Sequence, residues 1–125
     1  MKVIIIGKSG QLANELVAEV PEGIEILSLG RDDVDINSYI ELSTIVNEFI
    51  PNVIINASAY TAVDKAETES EAAYMINKAA VEVMAKVAKE NESRFLHVST
   101  DFVFDGQHNI AYEVTNETNP TGVYG

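Results

Sequence analysis

Apolar positions fall along the chain in two kinds of run. Four short continuous stretches, Val3–Ile6, Ile24–Leu29, Val53–Ala57 and Phe95–Ser99, are bounded by turn or polar residues, and three of them are rich in β-branched side chains. Such runs predict strands buried on both faces. Between them the apolar residues recur every three or four positions. Ala13, Leu16, Val17 and Val20 predict one helix, stopped by Pro21 and Gly23. Leu42, Ile45, Val46 and Phe49 predict a second, with Ser38 and Glu41 spaced as a capping box and Pro51 as the stop. A longer third helix is predicted from about Thr68 to Glu90, entered through a second capping box at Thr68 and Glu71. Its inward stripe is Ile76, Ala80, Val83, Met84 and Val87, and Lys78, Glu82, Lys86 and Lys89 lie outside.

Strands alternating with helices imply βαβ units, right-handed crossovers and an α/β fold with a doubly wound parallel sheet. Val34–Ile36 is a candidate short edge strand before the second helix. No repeat or linker interrupts the chain, so residues 1–125 read as a single domain. From about Phe102 onward, turn formers such as Asp105-Gly106 and Asn119-Pro120 replace any sustained period. In a compact domain a long segment of that kind shapes a site or meets a partner.

Composition narrows the functional classes. The chain has 125 residues, 46% of them hydrophobic, enough for one folded core. Eight basic residues against twenty acidic ones give a net charge of -12, which repels nucleic acid and anionic membranes; neither is an expected partner. No apolar stretch suits a signal peptide or a membrane span, so a cytoplasmic protein is expected. Cysteine is absent, and His97 and His108 have no second histidine at ligand spacing, so no metal site is expected.

Candidate chemistry begins at the first turn. Gly7-Lys8-Ser9 looks like the end of a phosphate-binding P-loop, but that motif needs glycine at position 2, where lysine stands, and the strand Val3–Ile6 fills the place of the loop. Gly7-x-x-Gly10-x-x-Ala13 fits a dinucleotide turn better: it follows a strand and opens a helix. Gly7 permits the tight turn, Gly10 lets the backbone approach a pyrophosphate, and Ala13 allows close helix–sheet packing. A plain strand-to-helix turn would use the same residues. After the second strand an acid favours the ribose 2′-hydroxyl of NAD(H) and an arginine the 2′-phosphate of NADP(H). Gly30-Arg31-Asp32-Asp33 offers both; Arg31 tips the expectation towards NADP(H), unless it is simply a solvated turn residue.

Three further stretches extend the pattern: Asn56–Glu67 (NASAYTAVDKAE), Ser99–Gly106 (STDFVFDG) and the closing NPTGVYG. With GKSGQLANEL they resemble the extended short-chain dehydrogenase/reductases, and within them the dTDP-4-dehydrorhamnose reductase family, in order and along the whole of residues 1–125. The resemblance implies an NAD(P)-binding Rossmann fold and reduction of the C4 ketone of dTDP-4-dehydro-L-rhamnose by NADPH or NADH, with NADPH slightly favoured. It places Gly7, Ser9, Gly10, Gln11 and Leu12 at the pyrophosphate, Asp35 and Ile36 beside the adenine, and Ala57, Ser58, Ala59 and Tyr60 along the middle of the cofactor. Asn77 matches a family asparagine near the strand ends. Thr100 corresponds to the catalytic Ser/Thr and Tyr124 to the catalytic tyrosine; Asp101 and Phe102 would sit beside the nucleotide-sugar substrate.

Ketone reduction requires those residue types, because charge builds on the carbonyl oxygen and must meet a proton donor and a second hydrogen bond. A phenol of ordinary pKa, about 10, needs a nearby cation to take part at neutral pH. In the family that cation is a lysine four residues after the tyrosine, and here the sequence ends at Gly125. The expectation is therefore a fold incomplete at its C-terminus, the cofactor-binding half of a reductase with the sugar-nucleotide domain missing and little turnover by itself. Two alternatives share the motifs: a non-catalytic dinucleotide-binding regulator resembling the regulatory subunit of methionine adenosyltransferase, and a related nucleotide-sugar epimerase or dehydratase. An unpaired sheet edge, where later strands would join, offers a route to a homodimer or to aggregation.

Overall fold

The computed structural model describes residues 1–125. Four strands, β1 (Lys2–Ile6), β2 (Glu25–Leu29), β3 (Val53–Asn56) and β4 (Arg94–His97), form one parallel sheet in the order β2-β1-β3-β4. In register, Ile4 lies between Leu27 and Ile54, and Ile54 is next to Phe95. The helices are α1 (Gln11–Ala18), α2 (Tyr39–Phe49), α3 (Val63–Ala66), α4 (Ser70–Tyr74) and α5 (Ala80–Glu90). The expected α/β class and parallel sheet are both present.

Residue periodicity explains the layering. Alternate residues of β1 point to opposite faces. Val3 and Ile5 pack with Ala13 of α1 on one side; Ile4 and Ile6 pack with Leu42 and Val46 of α2 and with Met84 and Val87 of α5 on the other. Each fully buried isoleucine contributes about 1.5–3 kcal/mol relative to an exposed one, so a short strand with both faces covered anchors the sheet. The first connection runs outward from β1 to β2, and the next crosses β1 to reach β3. That reversal opens a crevice beyond the carboxyl ends of β1 and β3, where ligands of doubly wound sheets bind.

Several local expectations differ from the structure, each for a physical reason. Val34–Ile36 pairs with no strand; Val34 turns inward and is 5% exposed, completing the core beside Leu29, and β2 is the sheet edge. At α2 only half of the capping box forms: Ser38 Oγ accepts the Glu41 N–H at 3.3 Å, but the Glu41 carboxylate accepts the Asp35 N–H at 3.0 Å instead. Ile50 closes that helix in the left-handed region (φ 53°), because the following Pro51 disfavours a helical residue before it.

The third helical stretch runs on from Ser70 to Glu90 through one widened turn, but it is not entered through a capping box at Thr68. The Thr68 hydroxyl donates to Lys65 O, ending α3, and α4 begins two residues later without a side-chain cap. Between α4 and α5 the backbone widens into a π-turn over Met75–Ala79. β3 and β4 stop at Asn56 and His97, short of the expected Ala57 and Ser99. Beyond a 3-10 turn at Asp101–Val103 the chain is irregular and is organised by Asp105, which accepts from Gln107 N–H, Tyr112 Oη and Asn119 Nδ2 at 3.1 Å each. The Gln107 N–H, then the Asn119 amide, hold the Asp105 carboxyl below its ordinary pKa. No helix is long and apolar enough to cross a membrane.

Candidate functional site

The crevice is built from the end of β1. Gly7 has φ +108°, a conformation that L side chains rarely adopt, and its N–H donates to Leu29 O at 2.9 Å. A Cβ on Gly7 would lie 2.8 Å from Ala57 C and O and from Ser58 N. The first turn therefore packs against the exit of β3 with no room to spare. Gly10 opens α1 without a side-chain cap, and a Cβ there would stand 3.0 Å from Gly7 O. The first N–H groups of α1 are left for an anion, as a diphosphate site requires.

Two adjoining cavities occupy the crevice. The larger, about 730 Å³, is lined by Gly7, Ser9, Gly10 and Gln11 from the first turn, by Arg31, Asp35 and Ile36 after β2, and by Ala57, Ser58 and Ala59 after β3. The smaller, about 270 Å³, shares Ala57, Ser58 and Ala59 and adds Leu12, Asn77, Thr100 and Tyr124. Thr100 and Tyr124, far apart in sequence, thus face one space joined to the glycine turn. Three of the named residues lie outside both linings. Asp101 accepts from the Thr100 hydroxyl at 3.3 Å, and Phe102 meets the Tyr124 ring edge-on with centroids 5.5 Å apart. The Tyr60 phenol donates to Glu69 Oε2 at 2.6 Å, which pushes its pKa up to about 12.

Asn77 does more than line a wall. Its Oδ1 accepts the Tyr60 N–H at 2.8 Å and its Nδ2 donates to Tyr60 O at 3.0 Å, fastening the loop after β3 to the helical layer. Asn77 stands in the π-turn, and such turns recur where a helix must aim a side chain at a site. After β2 the two candidate discriminators are separated. Asp33 accepts the Gly30 N–H at 2.8 Å and the Lys8 ammonium at 3.3 Å, and the backbone bond, then Lys8, hold its pKa below the ordinary value. Asp33 is engaged in the turn, while Arg31 lines the groove.

Sequence patterning missed several polar groups here. Asn56, 1% exposed, receives the Ser58 N–H at 2.9 Å and the Ser58 hydroxyl at 2.6 Å on Oδ1, so its Nδ2 faces His97 Nδ1 at 3.0 Å. An amide N–H directed at Nδ1 makes that atom the acceptor and His97 a neutral Nε2–H tautomer. Burial lowers the His97 pKa, which also disfavours its charged form. Asn37 lines the larger cavity, and its Oδ1 is buried without a partner. The only signal for Asn56 and His97 was that a polar side chain stood at a strand end; Asn37, in the connection from β2 to α2, gave none.

A glycine cradle, an open helix start and a groove running from Arg31 to Tyr124 are suited to an extended anionic dinucleotide. Together with the β2-β1-β3-β4 sheet they define the class as a doubly wound, Rossmann-like α/β domain of NAD(P)-binding type. The model of the family described as RmlD substrate binding domain matches residues 1–125, and the chain belongs to that family. It is 40% identical over 126 residues to a dTDP-4-dehydrorhamnose reductase of Aggregatibacter actinomycetemcomitans, covering 99% of this chain and 43% of the relative. Among solved structures, dTDP-4-dehydrorhamnose reductase of Clostridium acetobutylicum superposes with a TM-score of 0.96 at 35% identity, over 100% of this chain and 45% of that one. The Bacillus anthracis enzyme, solved in complex with NADP, gives 0.95 at 32% identity, over 98% and 44%. The chain thus spans less than half the length of these relatives.

Proposed function

We propose that the chain binds NADPH, with NADH accepted, and supplies the cofactor-binding half of a dTDP-4-dehydrorhamnose reductase acting in the cytoplasm on dTDP-4-dehydro-L-rhamnose to give dTDP-L-rhamnose. One observation carries the reading: the cavity holding Thr100 and Tyr124 adjoins the groove holding Gly7, Gly10 and Arg31 across a shared wall of Ala57–Ala59. Family membership and the NADP complex of a relative support it. A bound nicotinamide supplies the hydride. The chain does the rest: the α1 start and Gly10 hold the diphosphate, Arg31 meets the 2′-phosphate, and Asp35 and Ile36 border the adenine. Tyr124 gives its phenolic proton to the ketone oxygen, and the Thr100 hydroxyl, turned away from Asp101, donates a second hydrogen bond there, both stabilising charge as it develops. Asp101 and Phe102 flank the sugar.

Calorimetric titration tests this. NADPH is expected to bind with unit stoichiometry and more tightly than NADH. Arg31→Ala should weaken NADPH by about tenfold, the worth of one charge-assisted phosphate contact, and leave NADH nearly unchanged. No binding of either dinucleotide would reject the function, and tighter NADH binding would reject the Arg31 assignment. In a reductase carrying this sequence, Tyr124→Phe and Thr100→Val should each lower kcat by roughly 10²–10³-fold with little change in dinucleotide affinity.

A further inference from the structure

Tyr124 lies between two neighbours from far along the chain: Phe102, whose backbone also crowds Gly125, and Glu67. Residues 120–125 make one hydrogen bond: the Val123 N–H donates to Glu67 Oε1 at 2.8 Å. Glu67 directly follows α3 and is fifty-six positions away in sequence. Its carboxylate comes so close that a Cβ on Gly122 would lie 3.0 Å from the same oxygen. A side chain at 122 would oblige that oxygen to give way by a few tenths of an ångström. From the other side, the Phe102 ring meets Tyr124 edge-on with centroids 5.5 Å apart, and the Phe102 backbone lies against Gly125.

We propose that Glu67 is a positioning residue: its carboxylate clamps the Gly122–Val123 backbone and thereby sets the depth at which Tyr124 stands opposite Thr100. A carboxylate suits the task because a bond from a neutral N–H to an ionised oxygen is roughly twice as strong as a neutral pair. The bond goes to the main chain, so it registers the segment whatever side chain occupies position 123. Its catalytic importance rests on the role proposed for Tyr124, since a proton donor displaced by about 1 Å loses much of its effect. The clamp itself rests only on the geometry. Glu69, two residues on, serves a different bond, to Tyr60.

The test uses the chain with ¹³C-labelled tyrosine and ¹⁵N-labelled backbone. Glu67→Ala should raise amide exchange at Val123 by about tenfold or more, since loss of a charge-assisted bond opens the segment. The Tyr124 ring signals should move towards free tyrosine as the Phe102 contact becomes intermittent, while circular dichroism and NADPH affinity stay as in the parent. Glu67→Gln keeps an oxygen acceptor and should restore both signals. Gly122→Ala, whose Cβ would meet only Oε1 within 4 Å, should shift them in the same direction as Glu67→Ala by a smaller amount, and serves if that variant folds poorly. Unchanged Val123 exchange and unchanged Tyr124 signals in both Glu67→Ala and Gly122→Ala would overturn the clamp. Failure of the parent to bind NADPH would instead overturn the proposed function and leave the clamp to be judged on the tyrosine signals.

Discussion

Gly7 stands with φ +108° and with the backbone of Ala57 and Ser58 2.8 Å from where a Cβ would be. Conformation and crowding act together there, so Gly7→Ala is expected to destabilise the fold by about 1–3 kcal/mol and to weaken dinucleotide binding, as read by urea denaturation and titration. His97 gives a pH-dependent prediction. Its pKa is lowered from 6.5 in the folded chain, so the unfolded chain binds more protons in the interval below 6.5. Its contribution to stability is full above about pH 6.5 and is lost as pH falls through the depressed folded value. Protonation also turns Nδ1 into a donor facing the Asn56 amide, whose Oδ1 is already occupied by Ser58. The urea midpoint should therefore drop between pH 7.5 and 5, and His97→Gln, which can still accept from Asn56, should flatten that part of the profile.

At the level of elements, the π-turn at Met75–Ala79 joins two parts of the molecule that share no ladder. It lets α4 and α5 run on in one layer while Asn77 reaches both backbone groups of Tyr60. Removing that side chain leaves a partly buried N–H and C=O unmatched. Asn77→Ala should cost about 2 kcal/mol, from two hydrogen bonds of about 1 kcal/mol each, and should raise amide exchange across residues 57–60. Equal exchange in variant and parent would show that the loop is held by something else. The helical period located α2 and α5 correctly, because their apolar stripes face the sheet. It could not reveal the break between α3 and α4 or the widened turn, since neither changes which residues are apolar.

On the scale of the whole molecule, the sheet is unevenly covered. β2 and β4 are its edges; Leu96 of β4 is half exposed on the face opposite Phe95, and Val98, just beyond the strand, is half exposed too. Exposed apolar side chains on a strand with an unpaired ladder favour pairing with another chain. The chain is expected to self-associate as its concentration rises, and Leu96→Lys, which places a charge on that edge, should shift it towards the monomer in sedimentation experiments. The net charge of -12 works against such contacts at low salt, so association should strengthen as ionic strength is raised.

What the sequence determined by itself was whatever depends on local period and local chemistry. Buried strands declare themselves by continuous β-branched runs, helices by spacing, and the first turn by glycines where a strand meets a helix. Those features sufficed for the α/β class, the parallel sheet and the groove-lining residues of the first turn. Tertiary structure alone decided that Asp33 is tied to Gly30 and Lys8 while Arg31 lines the groove, which amide fixes the tautomer of His97, and that Glu67 reaches Val123. The physical reason is common to all three: a polar side chain takes its role from its hydrogen-bond partner, and a partner brought near by folding leaves no period in the chain.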